Sequence, residues 1–210
     1  MSVAVEEEIS HGNGTADPTT TVDLIEIEGQ KHQLQNKWKF WYFENNKDKS
    51  WEDNLRVVSE FWTVEDFWSI FNHIKSASDL RTGCSYFVFK DGIKPMWEDP
   101  INRPGGRWLV SFDKRYRQQL DHQWLEVLLC LIGEAFDDDG DDICGVVVDV
   151  RNKLDKISIW TRNCKNNDSI LNIGKTVKTR LNLPPSQMTY ESHEATSSKT
   201  SSSAKHMLTL

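Results

Sequence analysis

At 210 residues and 24.3 kDa, the chain is long enough to bury one well-packed core with tails, and a second full domain would be crowded. Hydrophobic residues at 38% and charged residues at 27% are ordinary for a globular protein. No apolar run reaches the length that crosses a bilayer, so membrane functions are set aside. The net charge of −7 speaks against broad phosphate binding. Seven acids against one lysine fall within residues 1–36, however, so the remainder is close to neutral and can hold a local basic site for one nucleotide end.

Residues 1–30 are rich in Glu, Thr, Gly and Asp, a composition expected of a disordered acidic tail. The first ten residues carry neither a basic region nor an apolar stretch, so no secretory signal is read there. A cytoplasmic protein is expected, with the nucleus open as a second compartment. Leu34 to Phe43 is dense in aromatics and predicts a strand, and a second runs through Leu55 to Phe61 after the polar stretch Glu44 to Ser50. Thr63 is a good N-cap, with Asp66 three residues on. Val64, Phe67, Trp68, Phe71 and Ile74 then recur at helical spacing.

Tyr86 to Phe89 and Arg107 to Phe112 predict short strands around a loop holding Pro95, Pro100 and Pro104-Gly105-Gly106. Arg117 to Ala135 is the strongest helical segment, with Leu120, Trp124, Leu125, Leu128, Leu131 and Ile132 on a broad apolar face. Cys144 to Arg151 and Lys156 to Trp160 predict an antiparallel hairpin, and a third helix lies near Asp168 to Leu181. The sum is an α+β fold, one domain over residues 31–191, with helices on one face of an antiparallel sheet. Residues 192–210 are expected to be a flexible Ser/Thr-rich tail.

Several chemistries can be tested against spacing. Gly174-Lys175-Thr176 ends like a phosphate-binding loop, but the first glycine that loop needs would stand at Ser169. The run Asp137 to Asp142 is acidic enough for calcium, yet it lacks glycine at 142 and Glu at 148. It reads as a solvated acidic loop. Cys84, Cys130, Cys144 and Cys164 form no C-x-x-C pair and read as reduced thiols. No catalytic motif surrounds any His, so an enzyme is not expected, and no metal or cofactor either.

Nine Trp are more than most cores of this size need. Trp51 and Trp97 sit in polar surroundings without apolar alternation, and each could equally be an exposed recognition residue or a ring folded back over the core. Two rings on the faces of a flat cationic base would add stacking of about 1–3 kcal/mol and a cation–π contribution of about 2 kcal/mol. Glu98, next to Trp97, could accept from a guanine's N1 and N2 hydrogens. Arg107, Arg151, Lys153 and Lys156 are candidate phosphate contacts.

The motifs His32-Gln33-Leu34-Gln35-Asn36, Thr63-Val64-Glu65-Asp66-Phe67-Trp68, Asp91-Gly92-Ile93-Lys94-Pro95-Met96-Trp97-Glu98-Asp99, Gly105-Gly106-Arg107-Trp108, Trp124-Leu125-Glu126 and Leu128-Leu129-Cys130-Leu131-Ile132-Gly133-Glu134 occur in that order. Over roughly 32–203 the chain resembles the eukaryotic translation initiation factor 4E family of messenger-RNA cap-binding proteins. Gln33 stands where that family often has proline.

The resemblance implies a curved antiparallel sheet with three helices on its convex face and the cap pocket on its concave face. It implies that Trp51 and Trp97 sandwich 7-methylguanosine, that Glu98 accepts from the base and that Trp160 contacts the methyl group. Arg107, Arg151, Lys153 and Lys156 would contact the phosphates.

It also implies a dorsal groove at His32, Val64, Trp68, Leu125, Glu126 and Leu129 for helical peptides of a factor 4G-type scaffold and of repressors. Ser202 falls near a regulatory phosphorylation site. The expected protein is a monomer on its own and an adaptor between capped mRNA and the initiation complex. The alternatives are a cap-binding repressor that does not engage the scaffold, and a nucleotide or cap hydrolase using the acidic run to hold magnesium.

Overall fold

The aromatic run after His32 forms the strand its alternation predicts, β1 (Gln33–Phe43), with Trp38 and Phe40 turned into the core. The computed structural model describes residues 30–197 and 207–210. After β1 come α1 (Trp51–Asn54), β2 (Leu55–Thr63), α2 (Val64–Phe71), β3 (Ser85–Lys90), β4 (Gly106–Asp113), α3 (Arg117–Ile132), β5 (Ile143–Asp149) and β6 (Leu154–Thr161). The described chain ends with α4 (Asn167–Arg180), β7 (Met188–Ser192), α5 (His193–Ser197) and β8 (Leu208–Thr209). Short 3-10 turns occupy Ala77–Asp79, Lys114–Tyr116 and Asp137–Asp142.

The eight strands make one curved antiparallel sheet in the order β2-β1-β3-β5-β6-β4-β7-β8. Alternation in β4 is strict: Trp108, Val110 and Phe112 are buried, and Arg107, Leu109 and Ser111 lie on the other face. The helix-bearing face is the main core, where Phe67 of α2, Leu120, Trp124 and Leu128 of α3, and Ile170, Ile173 and Val177 of α4 meet Trp38, Phe40, Val88, Trp108 and Ile159. α4 lies so close that a Cβ at Gly174 would come within 2.5 Å of the Trp108 ring. The Trp108 indole N–H is satisfied by the carbonyl of Ile170 at 2.8 Å. A smaller apolar cluster, Phe87, Phe89, Ile93, Cys144, Val147 and Trp160, covers the opposite, concave face.

The predicted helices and strands hold, with four differences, the first being that α3 stops at Ile132, three residues short of the expected Ala135. Thr63 caps α2 through the N–H of Asp66 at 3.1 Å, but the regular helix stops at Phe71. Ile74 still packs on the core through one further turn. Trp51 opens a one-turn helix rather than a loop, capped by Ser50.

Residues 192–210 are not simply a tail: the boundary at 191 falls inside β7, α5 follows, and β8 pairs with it. Composition averaged over serines hides a short apolar end, in which Leu208 and Leu210 pack on the core and β8 covers the edge of β7. Residues 1–29, on which the acidic-tail expectation rests, and Ser202 lie outside the described residues.

Candidate functional site

Strand register lays out the concave face as a grid. One row across the sheet is Phe43, Ser85, Asp149, Lys156 and Ser111; the next is Trp41, Phe87, Val147, Ser158 and Leu109; the third is Lys39, Phe89, Gly145, Trp160, Arg107 and Glu191. Over it opens a cavity of about 680 Å³ lined by Trp51, Trp97, Glu98, Phe87, Val147, Trp160, Arg107, Asp149 and Arg151, among others. Six of the residues singled out in the sequence, Trp51, Trp97, Glu98, Trp160, Arg107 and Arg151, therefore share one cavity. Lys153, exposed in the β5–β6 turn, and Lys156, half-buried opposite Asp149, are not among its walls. Lys156 nonetheless shares a strand face with Trp160 by alternation.

Trp51 and Trp97 are 44% and 47% exposed, which decides between the two readings of these rings: neither is folded into the core. Trp51, at the start of α1, and Trp97, on the β3–β4 loop, each belong to a segment braced by a buried asparagine. The amide of Asn54 donates to the carbonyl of Asn46 at 2.8 Å, and Glu44 N–H donates to Asn54's own carbonyl at 3.0 Å. The amide of Asn102 donates to the carbonyls of Lys94 and Met96, both at 2.8 Å. Asp99 adds bonds from the N–H groups of Lys94 and Ile101 at 3.0 and 2.9 Å. Such bracing fixes the backbone that presents Trp97 and Glu98, so less ordering is left to occur on binding.

Trp160 is a floor residue, 7% exposed and edge-on to Phe89 at 5.4 Å. The Cys144 thiol, in the same cluster, is pushed up to about 12 by burial and stays protonated at neutral pH.

The two arginines are held rather than loose. Arg107 donates through Nε and Nη2 to one oxygen of Glu191, at 2.9 and 2.6 Å, and that carboxylate is buried. Arg151 donates through Nη2 to Asp149 at 2.5 Å and to Ser85 Oγ at 3.2 Å, and through Nη1 to the carbonyls of Cys84 and Val150 at 3.2 Å. A planar guanidinium anchored along one edge suits phosphate oxygens better than a flexible ammonium does.

His193 and Thr196, both from α5, also line the cavity and were missed in the sequence because they fall in the segment read as a tail. The His193 ring lies 4.2 Å from Trp160, centroid to centroid, and the backbone N–H of His193 donates to the carbonyl of Gly105 at 3.0 Å. Burial first, and then the Arg107 charge, lower its pKa to about 4 against the pull of Glu191. The neutral ring is thus favoured in the folded state, while the unfolded chain takes up the proton near pH 6.5. Stability should therefore fall as pH drops from about 6.5 to 4, by up to about 3 kcal/mol. His193→Gln should flatten that part of the profile in denaturant unfolding followed from pH 7 to 4. An unchanged slope would mean that other groups carry it.

On the opposite face, Val64 and Trp68 stand one turn apart on α2, each 36% exposed, and Leu125 and Leu129 stand one turn apart on α3, half-buried beside Glu126. A cavity of about 230 Å³ lined by Phe71, Ile74, Trp124 and Leu125 lies between the end of α2 and α3. His32 is exposed and directly precedes β1 in sequence. The acidic run is not an open cation loop. Asp139 and Asp142 accept from the side chains of Asn172 and Asn166, and Lys90 Nζ, its pKa lowered by burial, donates to the Gly140 carbonyl at 2.8 Å. Among the described residues, no group of three or more His, Cys, Asp or Glu is placed to hold a metal ion.

The sequence model of the family described as eukaryotic initiation factor 4E matches residues 33–208. Eukaryotic translation initiation factor 4E of Homo sapiens is 54% identical over 178 residues, covering 84% of this chain and 82% of its own. Among solved structures, eIF4E-3 of Ascaris suum in complex with an m2,2,7G cap superposes with a TM-score of 0.80 at 50% identity, over 85% of this chain and 98% of its own. C. elegans eIF4E-3, in complex with the 4E-binding protein Mextli and a cap analog, superposes with a TM-score of 0.77 at 51% identity, over 81% and 97%. With its sheet, its concave cavity and its motifs in place, the chain belongs to the eukaryotic initiation factor 4E family.

Proposed function

We propose that this protein binds the 7-methylguanosine 5′ cap of mRNA in the concave cavity and, through the α2–α3 face, joins that mRNA to the scaffold of the translation initiation complex, making no covalent change to either. The observation that carries the reading is the pair of half-exposed indoles, Trp51 and Trp97, on braced segments at one cavity that also holds Glu98 and two anchored guanidiniums. A cationic flat base between two rings gains stacking and cation–π attraction together, and the uncharged base gains only the first. In this reading Glu98 accepts from the Watson–Crick edge, and Trp160 forms the floor at the methyl group. Arg107 and Arg151 take the near phosphates, with Lys153 and Lys156 beyond the cavity wall for the rest of the chain.

The Ascaris suum protein was solved with both m7G and m2,2,7G caps, and the C. elegans protein with a 4E-binding protein, which supports a two-site adaptor. The family's place in translation supports a cytoplasmic protein.

A tryptophan-fluorescence titration tests the base site. With 7-methyl-GTP, emission should be quenched at far lower ligand concentration than with GTP, since the phosphates are the same and only the base charge differs. Equal quenching by both would reject cap recognition.

A further inference from the structure

We infer that Asp149 is a specificity-determining residue of the concave cavity: its carboxylate competes with the phosphate chain for Arg151, and so limits how steeply affinity rises with the number of phosphates. This rests on the reading of that cavity as a cap site. Asp149 ends β5, and strand register sets it between Ser85 of β3 and Lys156 of β6. It is a wall of the cavity, with 15% of its side chain exposed. Its Oδ1 accepts from the hydroxyl of the buried Ser85 at 2.6 Å and from Nη2 of Arg151 at 2.5 Å. An anion therefore stands in the part of the pocket that has to receive an anion.

Holding the guanidinium does not require that charge. Nη1 of Arg151 donates to the carbonyls of Cys84 and Val150, and Nη2 also donates to Ser85 Oγ, all at 3.2 Å, so three neutral acceptors already fix the Nη1–Nη2 edge. An amide oxygen in place of Oδ1 would serve as the fourth. The negative charge supplies what a neutral acceptor would not, and its two consequences have one sign. It offsets the Arg151 cation as felt from the rest of the cavity and repels phosphate oxygens directly. It also holds Nη2 by a charge-assisted bond, which a phosphate has to loosen before it can take that donor. Part of the attraction between pocket and phosphate is thus withheld for every charge the ligand adds, and the base is left to decide which nucleotide stays. A nucleoside triphosphate with an uncharged base has little but its phosphates to offer, and it is the class of ligand that Asp149 works against.

The test compares affinities of the full chain, in wild type and Asp149→Asn, for the 7-methylguanosine nucleoside, its 5′-monophosphate and 7-methyl-GTP at low salt. The substitution should raise 7-methyl-GTP affinity about tenfold and monophosphate affinity about threefold, and leave the nucleoside unchanged. The gain should shrink at high salt, where charges are screened. The sign is diagnostic. A loss of 7-methyl-GTP affinity would mean that the charge of Asp149 serves to position Arg151, and would overturn the proposal. An equal change for all three ligands, or no change in any, would overturn it too. Asp149→Ser, smaller and equally uncharged, should move affinity in the same direction and keeps the test open if Asp149→Asn fails to fold. The parent reading is judged separately, on the preference of wild type for 7-methyl-GTP over GTP.

Discussion

Trp97→Ala should lower affinity for 7-methyl-GTP by about two to three orders of magnitude, because it removes both the stacking of one ring, about 1–3 kcal/mol, and its cation–π share, about 2 kcal/mol. The fold should be little affected, since the ring is 47% exposed and the loop carrying it is held by Asn102 and Asp99 rather than by the indole. Calorimetric titration with 7-methyl-GTP, beside a thermal melt and a titration with a tyrosine- and leucine-anchored helical peptide, separates these effects. Cap affinity should collapse while the melt and peptide affinity stay where they were. Retained cap affinity would remove Trp97 from the base site. Trp160→Ala is a poorer probe: that ring is buried against Phe89 and His193, and its truncation should cost about 3–5 kcal/mol of stability before any ligand is added.

The reverse pattern is expected on the other face. Trp68→Ala should weaken binding of the helical peptide by about 2 kcal/mol or more, some thirtyfold, as truncation of an interface tryptophan does. Trp68 lies edge-on to Phe67 at 5.1 Å and to Phe71 at 5.9 Å, so its ring is held in place yet still 36% open to a partner. Phe67 fills the core beneath it and remains in the variant, so the sheet and the concave cavity should be undisturbed. Unchanged cap affinity with lost peptide affinity is the expected result. Loss of both would mean that the ring supports the fold more than it serves an interface.

Where one periodicity persisted, the sequence was readable. β4 alternates without a break and α3 repeats its apolar face over four turns, and both stand where the pattern put them. Thr63 announced the start of α2 by its capping chemistry. The sheet order was not readable, because β4 sits between β6 and β7, a crossover that no local alternation encodes. α1 was not readable either: one turn of Trp-Glu-Asp-Asn has too few residues to show a period. At the site, the stacking and charged residues stood out because they were out of character with their surroundings. His193 did not, since a lone histidine beside a serine-rich run looks like tail. Only the return of β8 onto β7 shows that the segment is anchored at both ends. Glu191 was invisible for another reason: its role exists only through its register opposite Arg107.

The two buried asparagines that brace the tryptophan segments act as donors, each giving amide hydrogens to loop carbonyls. An aspartate has nearly the same shape but no hydrogens to give, so a single change of NH2 to O would set a carboxylate against the carbonyl oxygens it had been holding. The two most exposed parts of the pocket are thus governed from beneath by a difference of one atom, at Asn54 and Asn102. An Asn-to-Asp change at either position would therefore unsettle the segment above it while leaving both indoles chemically intact.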